Sequence, residues 1–460
     1  MDEKSICPHP TPDSQVILVT MRLGRRWILA AVTIVVLALA GAGGLYVWQM
    51  QPAAVATAQF KTPQEADVYV RFDMEVYDII LANYWQKAPD TDLATLFQLS
   101  LQKALALPAL PALATKDRVG TAQMLATAVT AATSTDAKKQ LAVNVALVAL
   151  YNLQPAGRSG LLSAAQETAL RQEVSNIKPA NDLYKDLGVA SGASVEEVKK
   201  AFDEKQAALK NDTSAEAKAA LAKAEYAKQV LTDANNKARY DTAKIEPTVF
   251  GRILGKTLYF NMTQVSPTTL QEFAQAIDHA STTPGLDSLI VDLRGNIGGA
   301  LDFAGAFLGL FIGQNQYAYD LYHQNDYLVQ RTTVPKFPEL GRYKEVAILT
   351  DNMTQSTAEV TSAAFKRFQL AKLVGTTTRG WGTVENTFPI AADIDPANKY
   401  SVLLVHSLTL REDNQPIEGK GVEPNIDVSK QGWQSELSKT FNSTSLVQAL
   451  KQYATQPPLK

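Results

Sequence analysis

Four short stretches of this 460-residue chain carry residue types that could do chemistry. Ser356 opens "STAE", with Glu359 three residues on, just before an apolar-periodic run. A hydroxyl at the start of a helix lies among unpaired backbone N–H groups and at the positive end of the helix dipole, where negative charge is favoured. The same spacing is a capping box, which adds roughly 0.5–2 kcal/mol to a helix and explains both residues without catalysis. Gly298-Gly299 follows the apolar run "LIVDL", and glycine there lets a backbone approach another group with no side chain between them. Asp292 and Arg294, just before, read first as turn residues. "TTTRGWGTVEN", residues 376–386, carries Arg379, Trp381 and Glu385. Arg379 stays protonated and cannot serve as a base. The Trp381 indole donates one hydrogen bond and has no basic nitrogen. Glu385 is weakly basic unless buried. His406 titrates in a useful range, although one histidine in a strand is most often structural. Acyl transfer needs a nucleophile, a proton acceptor and donors for an oxyanion.

The elements that must position these residues follow from periodicity. From about 249, strand-like runs (253–260, 289–293, 346–349, 383–390, 401–410) alternate with helical ones (269–280, 300–312, 357–369). That alternation predicts an α/β domain, a mixed sheet covered by helices. Thr269 and Glu272 predict a capping box on the first of these helices. Residues 63–178 read as a helical domain, broken at Pro108 and Pro111, with Val68, Phe72, Val76, Ile79 and Ile80 at helical spacing. Residues 49–62 read as a polar, alanine-rich linker and 431–460 as a partly helical C-terminal tail. The expected fold class is therefore multidomain α and α/β.

A hydrophobic content of 46%, a charged content of 20% and a net charge of -2 give no electrostatic reason to expect a nucleic-acid partner. Cys7 is the only cysteine, so no internal disulfide or cysteine metal site can form, and no metal or cofactor is expected. Residues 27–48 hold no charge, and as a helix would span about 33 Å, enough to cross a bilayer core. Arg22, Arg25 and Arg26 precede this run, which predicts a transmembrane anchor, a cytoplasmic tail over 1–26 and an extracytoplasmic remainder at the cell membrane. A cleaved signal peptide ending at Ala56-Thr57-Ala58 is the competing expectation.

Taken together, "LIVDLRGNIGG" (289–299), "VAILTDNMTQSTAEVTSAAF" (346–365), "LVGTTTRGWG" (373–382) and "LTLREDNQPIEGKGVEPNIDV" (408–428) resemble the C-terminal-processing, or tail-specific, serine peptidase family. The resemblance covers about 249–430 and extends weakly to 67–105. It implies Ser356 as nucleophile and the backbone N–H groups of Gly298, Gly299 and Thr357 as oxyanion donors. It further implies a lysine base 25 residues after the serine, a position held by Trp381, and an orienting glutamine four residues later, matched by Glu385. Glu385 or His406 would then have to substitute as base. Protein or peptide substrates are implied, with catalysis impaired or lost at Trp381; the alternative is a non-catalytic protein that binds partners or clients.

Where this family usually carries a PDZ domain, residues 181–242 resemble a J domain through "LYKDLGV", "SVEEVKKAF" and "YAKQVLTDANNKARYD". The His-Pro-Asp tripeptide of J domains is replaced by Lys210-Asn211-Asp212. The segment is read as a J-like helical hairpin serving as spacer or docking surface.

Overall fold

The computed structural model describes residues 60–459. Helices Val68–Asn83, Asp90–Ala104, Arg118–Ala131 and Thr135–Tyr151 form the first layer. Short polar side chains start three of them: Asp67, Asp117 and Ser134 each accept a backbone N–H of the first turn, which satisfies a donor that has no partner inside the helix. Phe72, Tyr77, Ile80, Phe97, Val145 and Leu150 are buried between the four helices. Pro108 and Pro111 lie in the coil between the second and third, as the sequence predicts.

Asp73 breaks the pattern. It is 0% exposed in this apolar layer, and neither carboxylate oxygen has a hydrogen-bond partner. Burial alone pushes its carboxyl well above the ordinary value of 3.8. The protonated form is thus the one the fold accommodates. Stability is greatest below that ordinary value and falls as pH rises through the folded-state value. Asp73→Leu should raise stability at pH 7 by on the order of 2 kcal/mol, the desolvation cost of an unpaired buried polar group. It should also flatten this pH dependence in denaturant titrations. An equal or lower midpoint at pH 7 would show that the carboxylate is compensated.

Strand β1 (Gly160–Ser163) and helix Ala164–Val174 lead to an inserted unit of four helices: Leu183–Leu187, Val195–Leu209, Ala215–Thr232 and Ala234–Ala243. Ser194 and Glu197 form a capping box on the second. The unit has its own core, centred on Leu187, Val198, Phe202, Val230 and Tyr240. Its entry and exit are adjacent, through a bridge between Ile177 and Ile245. An ion pair from Arg239 to Glu272 (3.3 Å) ties it to the domain that follows.

That domain carries the central sheet. Its strands are β2 (Val249–Leu254), β3 (Thr257–Met262), β4 (Ser288–Asp292), and, after the hairpin β5 (Tyr317–His323) and β6 (Asp326–Arg331), β7 (Glu345–Thr350) and β8 (Lys372–Gly375). The chain then forms β9 (Thr383–Pro389), the long β10 (Tyr400–Thr409) and β11 (Ile426–Asp427). The sheet order is β11-β8-β7-β4-β3-β2, parallel except for the β2–β3 pair. One face is covered by helices Thr269–Ala280, Asp302–Ile312 and Thr357–Arg367, whose Phe273, Phe307 and Phe365 pack together. The other face is covered by helices Trp433–Thr440 and Thr444–Tyr453 through Leu437, Leu446 and Leu450. The stretch 431–459 is thus an integral layer. A second, antiparallel sheet has β10 between β9 on one edge and β1 and β5 on the other. It joins the domain to the helical layer through Ile390, Val402 and Leu404.

Three expectations need correction. The fold class included a transmembrane helix, but among the described residues no helix is long and apolar enough to cross a membrane; the 27–48 run lies outside those residues. The expected strand 253–260 is two strands, because Gly255 turns the chain back at φ 63°. The Thr269–Glu272 capping box does not form: Thr268 precedes the helix without a side-chain cap, and Glu272 accepts from the N–H groups of Thr248 and Val249 at 2.7 and 3.1 Å. A long-range pair of donors outcompetes the local one.

Candidate active site

Ser356 lies between β7 and helix Thr357–Arg367 with φ 56° and ψ -127°. Such backbone costs a non-glycine residue on the order of 1–3 kcal/mol and persists only when its surroundings hold it. Two contacts do so. The Ser356 N–H donates to Glu359 Oε2 at 2.9 Å, one half of the expected capping box. In the other half the Ser356 side chain faces the Glu359 N–H, which also donates to the Ser356 carbonyl oxygen at 2.8 Å. Among the described residues no side chain hydrogen-bonds the Ser356 hydroxyl.

The turn after β4 is pressed against this serine. A Cβ on Gly298 (φ 83°) would lie 2.7 Å from Ser356 Cβ and 3.0 Å from Thr357 N, so only glycine fits. The turn is fixed by Asn296, fully buried, which donates to the Met262 carbonyl at 2.7 Å and accepts from Gly298 N–H at 2.8 Å. That second bond commits the Gly298 N–H, so this residue is not a free oxyanion donor as arranged here. The N–H groups of Gly299 and Thr357 have no partner among the described residues. Asp292 and Arg294 play the structural part read from the sequence: their buried ion pair (2.5 Å) reaches the carbonyls of Ala454 and Gln456 and fastens the C-terminal layer.

Glu359 joins the two arms of the site. It is 0% exposed, and its carboxylate accepts from the Ser356 and Trp381 N–H groups on one oxygen and from Thr378 Oγ1 and Gly380 N–H on the other. Burial raises its pKa and outweighs these four bonds, which pull it down. Because Ser356 and Trp381 share one oxygen, their backbones are neighbours, as the family resemblance implies.

The side chain of Trp381 turns to other partners. Its Nε1 donates to Glu385 Oε1 at 3.2 Å, and Arg158 Cζ lies 3.4 Å from its ring centroid. Arg158 comes from the loop before β1 and pairs with Glu418 at 3.0 Å; the other Glu418 oxygen accepts from Gly382 N–H. Glu385 also takes the Thr383 hydroxyl at 2.5 Å. Burial pushes the Glu385 carboxyl up, while Thr383, Trp381 and the Arg158 charge pull it down. No hydrogen bond connects Glu385 to Ser356. His406 is engaged elsewhere: its ring stacks on His323 at 4.2 Å and its Nδ1 meets Ser407 Oγ at 2.8 Å. Burial, then the neighbouring His323, lower its pKa to about 4, so it is neutral near pH 7 but bonded away from the serine. Among the described residues no group of three potential metal ligands occurs.

Sequence reasoning missed Asn296, Glu359 as a hub, and Arg158. The Asn-x-Gly spacing of 296–298 was a local signal for a side chain capping its own turn. Nothing local connects Arg158 with Trp381.

Comparison with known proteins fits this geometry. Residues 256–428 match the model of Peptidase family S41. The chain is 28% identical over 187 residues to the carboxy-terminal processing protease CtpA of Bacillus subtilis (strain 168), covering 40% of this chain and 38% of that one. It is 29% identical over 153 residues to a probable CtpA-like serine protease of Staphylococcus aureus (strain N315), covering 33% and 29%. The matches thus span well under half the length of these relatives. A solved photosystem II D1 C-terminal processing protease overlaps 78% of this chain and 93% of its own at 13% identity and a TM-score of 0.43, too distant to carry activity across. Ser356, the Gly298 turn and the Trp381 turn all lie inside the segment, residues 256–428, that matches the model of Peptidase family S41.

Proposed function

We propose that this chain receives protein or peptide clients at Ser356, as relatives named proteases suggest, with amide hydrolysis impaired or lost. The observation that carries this reading is the state of Trp381. In the place of the family's lysine stands an indole bonded to Glu385 and stacked under Arg158, and no proton acceptor is bonded to the serine. What is retained, a held nucleophile and two uncommitted N–H donors, supports binding of a carbonyl group and slow turnover at best. A missing general base costs on the order of 10²–10⁴ in rate, more where nucleophile and base act as a unit. The four-helix unit 181–242 is read as a spacer or docking surface, anchored through Arg239 and Glu272.

The test compares the purified full-length chain with Ser356→Ala on an unfolded protein such as casein. Both should leave it essentially uncut over hours. Robust cleavage by the parent chain, abolished in Ser356→Ala, would overturn the reading in favour of an active serine peptidase with an unusual base.

A further inference from the structure

Strand β9, which begins two residues after Trp381, pairs with β10 alone, so its outer edge is open among the described residues. The side from which each residue pairs follows from one bond and the register. The Ile390 N–H donates to the Tyr400 carbonyl at 3.0 Å, and Phe388 and Asn386 stand opposite Val402 and Leu404. In an antiparallel pair, alternate residues direct both backbone groups to the partner. Asn386, Phe388 and Ile390 therefore face β10, while Glu385, Thr387 and Pro389 face outward. Pro389 has no N–H to offer and ends the usable edge, a common way to blunt an exposed strand. What remains is a short segment, Glu385–Thr387, with two outward carbonyl acceptors and the Thr387 N–H unpaired, the Glu385 N–H being turned on its own carboxylate.

This segment is linked to the serine through Trp381 and Glu359. The Glu385 side chain holds the Trp381 indole, and the Trp381 backbone shares Glu359 with Ser356. The surfaces around Ser356 have a matching chemistry. Ile297, beside Gly298, is 36% exposed, and Met353, three residues before Ser356, is 47% exposed. The exposed Arg379 lies with Nη1 4.0 Å from Met353 Sδ and Cζ 5.9 Å from the Trp381 centroid. The mouth of the site is thus apolar on two loops and cationic on the third.

We propose that an extended polypeptide adds as a strand to the outer edge of β9 at Glu385–Thr387 and runs past Trp381 to Ser356. Its occupant is an unstructured segment with apolar side chains at Ile297 and Met353 and an acidic group at Arg379. Main-chain pairing supplies sequence-tolerant affinity and the rim supplies selection, as in other strand additions. This inference rests on Ser356 being a client site. It goes further by naming the strand that receives the client and the side chains that choose it.

The decisive variant is Thr387→Pro in the full-length chain. It deletes one outward N–H and leaves the bonds to β10 in place, so the thermal midpoint should stay within a few degrees of the parent. The probe is a fluorescein-labelled dodecapeptide of alternating valine and serine with two aspartates near one end, read by polarisation; fragments are read by mass in the same tube. Thr387→Pro should weaken binding at least 10-fold. Arg379→Met should weaken the aspartate probe at least 5-fold and an asparagine version hardly at all. Unchanged binding in a folded Thr387→Pro, or no binding by the parent chain, overturns the edge proposal. Ser356-dependent fragments would instead sink the reading of lost hydrolysis and leave edge docking to be judged by the binding ratio alone.

Discussion

Substituting Trp381→Lys together with Glu385→Gln is expected to raise hydrolysis of an unfolded protein by about 10²-fold or more over the parent chain, the lower end of what a positioned base contributes. The backbone at 381 is already in place, because its N–H and that of Ser356 bind the same Glu359 oxygen. The N–H groups of Gly299 and Thr357 remain available for the oxyanion. Trp381→Lys alone should gain far less. Glu385, which now accepts the indole N–H, would face an ammonium and hold it protonated, whereas an amide orients the amine without a charge. Arg158, which lies over the ring, acts in the helpful direction, since a like charge lowers the pKa of a lysine. Rate should climb as pH is raised toward that pKa, because only the neutral amine accepts a proton. Adding Ser356→Ala to the double variant should return hydrolysis to the parent level. If the folded double variant cuts no faster, absence of the base is not what limits this site.

The largest loss of stability is expected from Glu359→Gln, on the order of 3–5 kcal/mol for breaking a buried charged network. The carboxylate serves four donors, two on each oxygen. An amide has one acceptor atom and presents its own N–H groups at the other position. With the NH2 at the Oε2 position the Ser356 and Trp381 N–H groups face a donor; at the Oε1 position the Gly380 N–H does, while the Thr378 hydroxyl can turn to accept. The strained backbone of Ser356 loses its restraint in the same step, and the turn carrying Gly380 and Trp381 is released with it. Chemical denaturation of the full-length chain measures the cost directly. Glu359→Gln unfolding at the parent midpoint would mean that the network is dispensable and that Ser356 is held by other contacts.

Much of this protein is legible in local sequence because the signals are short-ranged. Apolar runs at helical or strand spacing place most elements, and four motifs in order place the S41 segment at 256–428. Gly298 could be singled out because a tight turn after a strand demands it. The hairpin β5–β6 and strand β1 were not anticipated. The hairpin carries mixed polar and aromatic residues, β1 is only the four residues GLLS, and its pairing partners lie up to 243 positions away along the chain, as Gly160 to Leu403 shows.

The sequence by itself determined the reading at 356 and 381: a serine is present, a basic side chain is not, and no folding can give an indole a basic nitrogen. It also determined that the alternatives were Glu385 and His406. Only the tertiary structure showed that neither is hydrogen-bonded to Ser356. It joined Glu385 to the Trp381 indole, stacked His406 on His323, and brought Arg158 across more than 200 residues to the Trp381 ring. It also decided that Gly298 gives its N–H to Asn296 while Gly299 and Thr357 keep theirs. The reason is physical: the type of a side chain fixes what it can donate or accept, but its partners are set by packing between distant segments, which local periodicity does not encode.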